Sequence, residues 1–209
     1  MTINYPAGQG HSRPPHKEKQ PKKKKVNYSK RGMSLESNIS KSNETYRAKD
    51  IAVIYKKPTP IQVVDVDYPK RSAAVIKKAY YQKASTTDYN GIYRGYYIDF
   101  EAKETRNKTT FPLQNFHQHQ IDHLVKCNRH GGISFVIISF TALGRLFALE
   151  ITSLNKFWQK QFKPDGKKSI TLKEIEKYAI ELPYQFNPII PYLDAVDLFI
   201  SEKENTNIE

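Results

Sequence analysis

Asp88 and the run Glu101-Ala102-Lys103 bring together the residue types that hydrolyse a phosphodiester. Two carboxylates offer hard oxygen ligands to Mg²⁺, with Mn²⁺ as a substitute. A lysine beside one of them can steady charge on the phosphate or orient the attacking water. In the stretch from Tyr96 to Thr105, Ile98, Phe100 and Ala102 alternate with Tyr97, Asp99, Glu101 and Lys103. A strand there buries the first set and turns Glu101 and Lys103 together to the other face. A carboxylate and a lysine so spaced are common on solvated strands, so the reading depends on what brings Asp88 to that face.

A hairpin does so. Thr86 to Tyr93 and Tyr96 to Thr105 have strand character and meet at Arg94-Gly95, which sets Asp88 against Glu101. Thr86 shares the strand face of Asp88 and adds a further oxygen. Pro112 starts a helix through about Asn128 that carries Gln118 and Gln120, faces Phe116, Ile121, Leu124 and Val125 inward, and is stopped by Gly131-Gly132. Ile133 to Phe140 is a continuous apolar run suited to a central strand covered on both faces, and Arg145 to Ile151 is its neighbour. Met33 to about Lys49 reads as a helix with Glu36 in its first turn, followed by strands at Ile51–Tyr55 and Ile61–Val66. Ser153 begins a short helix carrying Trp158. Thr171-Leu-Lys-Glu174 is a capping box opening a helix through Ile180, and Tyr192 to Ile200 forms another.

Composition defines the setting. Lys and Arg number 34 against 21 Asp and Glu, a net charge of +13 that points to nucleic acid as partner. The apolar run Ile133–Leu143 is too short to cross a bilayer and the first residues lack a secretory pattern, so no membrane and a cytoplasmic location are expected. A single cysteine, Cys127, excludes an internal disulfide and a Cys-rich zinc module. The chain divides into a basic arm, 1–31, carrying Lys22, Lys23, Lys24 and Lys25, then a catalytic domain, 32–200, and a flexible tail, 201–209. Within the domain, 67–85 is an insertion that fits no compact core, in which Lys70, Arg71, Lys77, Lys78 and Lys83 interleave with Tyr68, Tyr80 and Tyr81. That pattern suits gripping phosphates and stacking on bases.

Four segments together resemble the RecU family of Holliday junction resolvases, within the PD-(D/E)xK restriction-endonuclease-like nucleases. They are Arg31-Gly-Met-Ser-Leu-Glu36, Ser85-Thr-Thr-Asp-Tyr-Asn-Gly91, Tyr97-Ile-Asp-Phe-Glu-Ala-Lys-Glu-Thr105 and Phe116-His-Gln-His-Gln-Ile-Asp-His123. The likeness runs from about Arg31 to about Leu198, and Thr87-Asp88 stands where the superfamily has Pro-Asp. It implies an α/β fold with a mixed central sheet flanked by helices and a protruding stalk. It also implies a metal held by Thr86, Asp88, Glu101 and Gln120, with Lys103 stabilising the transition state and Glu36 on the first helix assisting. The resulting expectation is a homodimeric, Mg²⁺-dependent endonuclease that cuts four-way DNA junctions, alongside other recombination proteins. DNA contacts are expected from Arg31, the arm and the stalk.

Other chemistry is weaker. His119 and His123 are spaced to share a zinc, yet the Glu of H-E-x-x-H is missing. No G-x-S-x-G elbow presents a serine. A non-catalytic module that binds or anneals junction DNA has no need of the carboxylates, and a sequence-specific restriction enzyme on the same fold is the remaining alternative.

Overall fold

A computed structural model describes residues 34–82 and 86–206. Ser34 opens the first helix, α1 (Leu35–Ala48), by accepting from Ser37 N at 3.3 Å, and Leu35, Ile39, Ser42, Asn43 and Tyr46 make its buried stripe. β1 (Val53–Lys56) follows. Next come β2 (Ile61–Asp67) and β3 (Val75–Tyr81), linked through a 3-10 turn at Arg71–Ala73 and paired with each other. This ribbon is a separate two-stranded sheet with an irregular register between Val63 and Val66. It starts at Ile61, ahead of the Asp67 expected, because Ile61–Val66 pairs with β3 and not with the central sheet.

The expected hairpin is β4 (Tyr89–Tyr93) with β5 (Tyr96–Thr105). Arg94 and Gly95 turn it with φ of 51° and 81°, the doubly left-handed geometry that matches strand twist. Thr86 to Asp88 lead into β4 without belonging to it. β6 (Thr110–Pro112) and a 3-10 turn precede α2 (Gln118–Arg129), so Pro112 closes a short strand and the helix begins later than expected. The cause is remote pairing of β6 with Ser169–Thr171, which leaves Leu113 N bonded to Lys168 O at 3.0 Å.

β7 (Ile133–Phe140), β8 (Arg145–Glu150), α3 (Ile151–Lys160), β9 (Ser169–Thr171) and α4 (Leu172–Tyr178) complete the middle of the chain. The capping box at Thr171 and Glu174 is formed. Ile180, expected to be helical, instead starts β10 (Ile180–Leu182) against β8. α5 (Tyr192–Thr206) runs into the segment read as a flexible tail. It is held there by Lys203 Nζ on Gly132 O, 2.9 Å, and by Tyr96 OH on Glu204 Oε1, 2.8 Å.

The central sheet has the order β1-β4-β5-β7-β8-β10, and β5 with β7 is its parallel pair, joined by the α2 crossover. One face packs on α1 and α5, with Tyr89, Phe100 and Phe135 stacked at 4.7 and 4.8 Å between centroids. Burying such a ring contributes roughly 2–3 kcal/mol. The other face carries Val136, Ile138 and Phe147 against Ile121, Leu124 and Trp158 of α2 and α3. Because Ile98, Phe100 and Ala102 belong to the first face, Asp99, Glu101 and Lys103 fall on the second, beside Val136.

Candidate active site

Glu101 lies in the middle of β5, and its side chain is fully buried. Alternation alone placed it on a face opposite the core; with both faces of the strand covered, that face is itself an interior. Asp88 N donates to Glu101 Oε2 at 3.1 Å, and Lys103 Nζ stands 2.6 Å from Oε1. Oε1 faces the Lys103 ammonium as an ion pair inside the buried site. Burial pushes the Glu101 carboxyl up to about 7. Lys103 draws it down, and the negative charge of Asp88 adds to the rise.

Asp88 is half-buried and is gripped from the main chain, where Lys57 N donates to Asp88 O at 2.7 Å. Tyr89 beneath it donates to the main-chain oxygen of Glu36 at 3.4 Å. Burial holds the Tyr89 phenol well above its ordinary range, and the charges of Glu36, Asp88 and Glu101 add to that. The donor set is two neighbouring carboxylates, one of them fully buried, chemistry that fits a hard divalent cation.

Glu101 is thus in contact with both Asp88 and Lys103, while Glu36, Gln120 and the helix histidines have other partners. The Glu36 carboxylate is half-exposed and pairs with Lys56 at 2.5 Å. Gln120 is buried on α2, but its Oε1 accepts from His117 N at 3.0 Å and so satisfies an otherwise open donor at the helix start. Thr86 is half-buried just ahead of Asp88. His119 stacks on His117 at 5.5 Å, whereas His123 turns to Asp99 at 3.0 Å, so the two imidazoles of the weaker zinc alternative have separate partners.

Sequence reasoning missed a second polar group on the same strand face. Asp99 is fully buried, and Asp99 Oδ2 meets Lys57 Nζ at 2.9 Å, Tyr97 OH at 2.7 Å and His123 Nε2 at 3.0 Å, while Thr87 donates to the other oxygen. Cys127 is half-buried with Sγ 3.5 Å from His123 Nε2, and burial and Asp99 both push its thiol up. The available signals were Asp99 sharing the parity of Glu101 and the one-turn spacing of His123 and Cys127.

The family model described as recombination protein U, RecU, matches residues 30–198. The chain belongs to the RecU family. It is 60% identical over 203 residues to a Lactiplantibacillus plantarum protein named Holliday junction resolvase RecU, covering 97% of this chain and 98% of that one. Proteins of the same name from Latilactobacillus sakei and Pediococcus pentosaceus are 56% and 53% identical, each over 96% of this chain and 97% and 98% of theirs. The solved structure of Archaeoglobus fulgidus Hjc, named a Holliday junction resolvase, covers 64% of this chain and 85% of its own at 10% identity and a TM-score of 0.38, a likeness too remote to inform the site. The family match takes in the whole sheet, the β2–β3 ribbon and the site residues from Glu36 to Gln120. Alignment over 97% of the chain also reaches well into residues 1–31.

On the ribbon, Tyr80 and Tyr81 are 56% and 84% exposed, an unusual display of large rings, and Lys70, Lys77 and Lys78 are exposed with them. Lys78 Nζ lies over the Tyr80 ring at 5.4 Å, and Lys77 pairs with Asp67 at 3.0 Å. Lys83 of the insertion, and Lys22, Lys23, Lys24, Lys25 and Arg31 with the rest of the arm, lie outside the described residues. Among the described residues no helix is long and apolar enough to cross a membrane.

Proposed function

We propose that this protein is a Mg²⁺-dependent, structure-selective endonuclease that resolves four-way DNA junctions by paired incisions, acting as a cytoplasmic homodimer in recombination and repair. The observation that carries this reading is the buried Glu101 in contact with both Asp88 and Lys103, in a chain 60% identical to a protein named for junction resolution. Binding alone gives no reason to bury a carboxylate beside a second acid.

Asp88 and Glu101 would hold the cation, with Thr86 and Gln120 completing its oxygen ligands. Gln120 would first release His117 N. Mg²⁺, when bound, supplies an acidified water and neutralises charge on the phosphate; Mn²⁺ serves in its place. Lys103 places an ammonium beside Glu101, where it offsets the charge that builds at phosphorus during in-line attack. Glu36, near the same acids, orients the attacking water. The products are a 5′-phosphate and a 3′-hydroxyl. Two strands of like polarity must be cut, and a twofold dimer meets a junction with two such sites. Lys70, Arg71, Lys77, Lys78 and Lys83 of the ribbon and its approach contact phosphates, Tyr80 and Tyr81 stack on bases at the open centre, and Arg31 with Lys22–Lys25 adds affinity along the arms of the junction.

Incubating the purified protein with a mobile four-way junction and a matched linear duplex, each with and without Mg²⁺, tests the reading. The expected result is symmetric nicking of the junction in Mg²⁺ alone and little of the duplex. Metal-independent cutting, or equal cutting of both substrates, would contradict it.

A further inference from the structure

We propose that Asp99 is a positioning residue for Asp88, acting through Thr87 and Lys57. Asp88 lies outside the β4–β5 ladder, which begins with Tyr89 opposite Phe100, so sheet pairing does not hold it. A closed polar triangle does. Lys57 Nζ donates to Thr87 Oγ1 at 2.9 Å and to Asp99 Oδ2 at 2.9 Å, and Thr87 in turn donates to Asp99 Oδ1. Lys57 also donates its backbone N–H to Asp88 O, so one residue grips the Thr87-Asp88 pair by side chain and main chain. Asp99 anchors the triangle from β5, the strand that presents Glu101 and Lys103. Tyr97 and His123 close the remaining sides of its carboxylate. The distance between the two site carboxylates is thus set by one strand and one buried anion on it.

Packing gives no account of that anion, since an apolar replacement of a buried ion pair is often neutral or stabilising. Nor do Asp99, His123 and Cys127 make a metal or nucleophilic centre, although their ligand atoms fall within 4.8 Å of one another. The Lys57 ammonium already occupies the carboxylate. His123 turns the same nitrogen, Nε2, to both Asp99 and Cys127, whereas a relay needs one ring nitrogen for each.

The inference rests on the reading of Asp88 as a metal ligand, and its test separates the two. Junction cleavage by the full chain is measured against Mg²⁺ concentration for wild type, Thr87→Val, Thr87→Ser, Asp99→Asn and Asp88→Asn, with thermal unfolding of each. Thr87→Val keeps the shape and the Lys57–Asp99 pair but removes the bridge. It should raise the half-saturating Mg²⁺ concentration by about ten-fold or more, with the rate largely recovered at high Mg²⁺. Thr87→Ser, which retains the hydroxyl, should return the midpoint to that of wild type, and Asp99→Asn should move it at least as far as Thr87→Val. A purely structural role would lower the unfolding temperature and scale the rate equally at every Mg²⁺ concentration. Unmoved midpoints in Thr87→Val and Asp99→Asn, with Asp88→Asn inactive, would overturn the positioning role alone. Wild-type cleavage by Asp88→Asn would overturn the metal site and this inference with it.

Discussion

In the metal-free protein, Glu101→Gln should stabilise the fold at neutral pH, although it removes a residue of the proposed active site. Glu101 is held at about 7 against an ordinary 4.5, chiefly by burial. Between those values the folded protein keeps a proton that the unfolded chain has released. The native state therefore binds more protons, and its stability falls as pH rises from about 4.5 to about 7, then levels off. Over that window the single group amounts to on the order of 3 kcal/mol. Glutamine mimics the protonated form and has no such slope. Urea unfolding followed by fluorescence of the only tryptophan, Trp158, in chelator at several pH values reads the difference directly. Wild type and variant should be nearly equal near pH 4.5, and the variant more stable by about 2–3 kcal/mol above pH 7. Added Mg²⁺ should raise wild-type stability at neutral pH and leave the variant almost unmoved. A wild-type-minus-variant difference that does not change between pH 4.5 and 7 would show that Glu101 titrates as an exposed acid and refute the strained-carboxylate argument.

Lys103→Ala should lose cleavage by about 10²-fold or more while still binding junction DNA, as read by gel shift; cutting at the wild-type rate would remove its role. Excising residues 61–81 with a short linker should leave cooperative unfolding intact, because the ribbon pairs with itself, and should lower the preference for junction over duplex in competition binding. Deleting residues 1–31 should weaken junction and duplex binding alike and flatten the salt dependence by roughly 0.9 in log–log slope for each phosphate that the arm neutralises, with selectivity little changed. An unchanged slope would show that the arm does not touch phosphate.

Strand alternation and the Arg94-Gly95 turn were enough to bring Asp88 near Glu101, since hairpin register is a local property, although Asp88 itself stands one residue ahead of the ladder. They were not enough to show that Glu101 is buried, because that depends on α2 and α3 covering a face that looks polar in sequence. The same limit hid Lys57 and Thr87: their partner Asp99 is remote in the chain, and nothing in the spacing signals a side-chain triangle. The β6–β9 and β8–β10 pairings, and the anchoring of α5 by Lys203, depend on tertiary neighbours too, which is why a helix at Pro112, a helix through Ile180 and a loose tail were expected instead. Thr86 followed from sharing the strand face of Asp88, whereas the roles of Gln120 and Glu36 entered through family resemblance; helical spacing distinguishes a ligating glutamine from an ordinary helix former no better than it distinguishes two surface glutamines.

The most direct measurement compares wild type with Asp88→Asn on one labelled four-way junction in Mg²⁺, scoring bound and cleaved DNA in the same samples. The substitution removes a ligand charge and keeps the shape, and affinity comes from lysines and arginines elsewhere. Paired nicks with wild type, and full binding with no nicks by the variant, are the predicted result. Cleavage by the variant at the wild-type rate, or a joint failure of binding and cutting in a folded variant, would contradict the account.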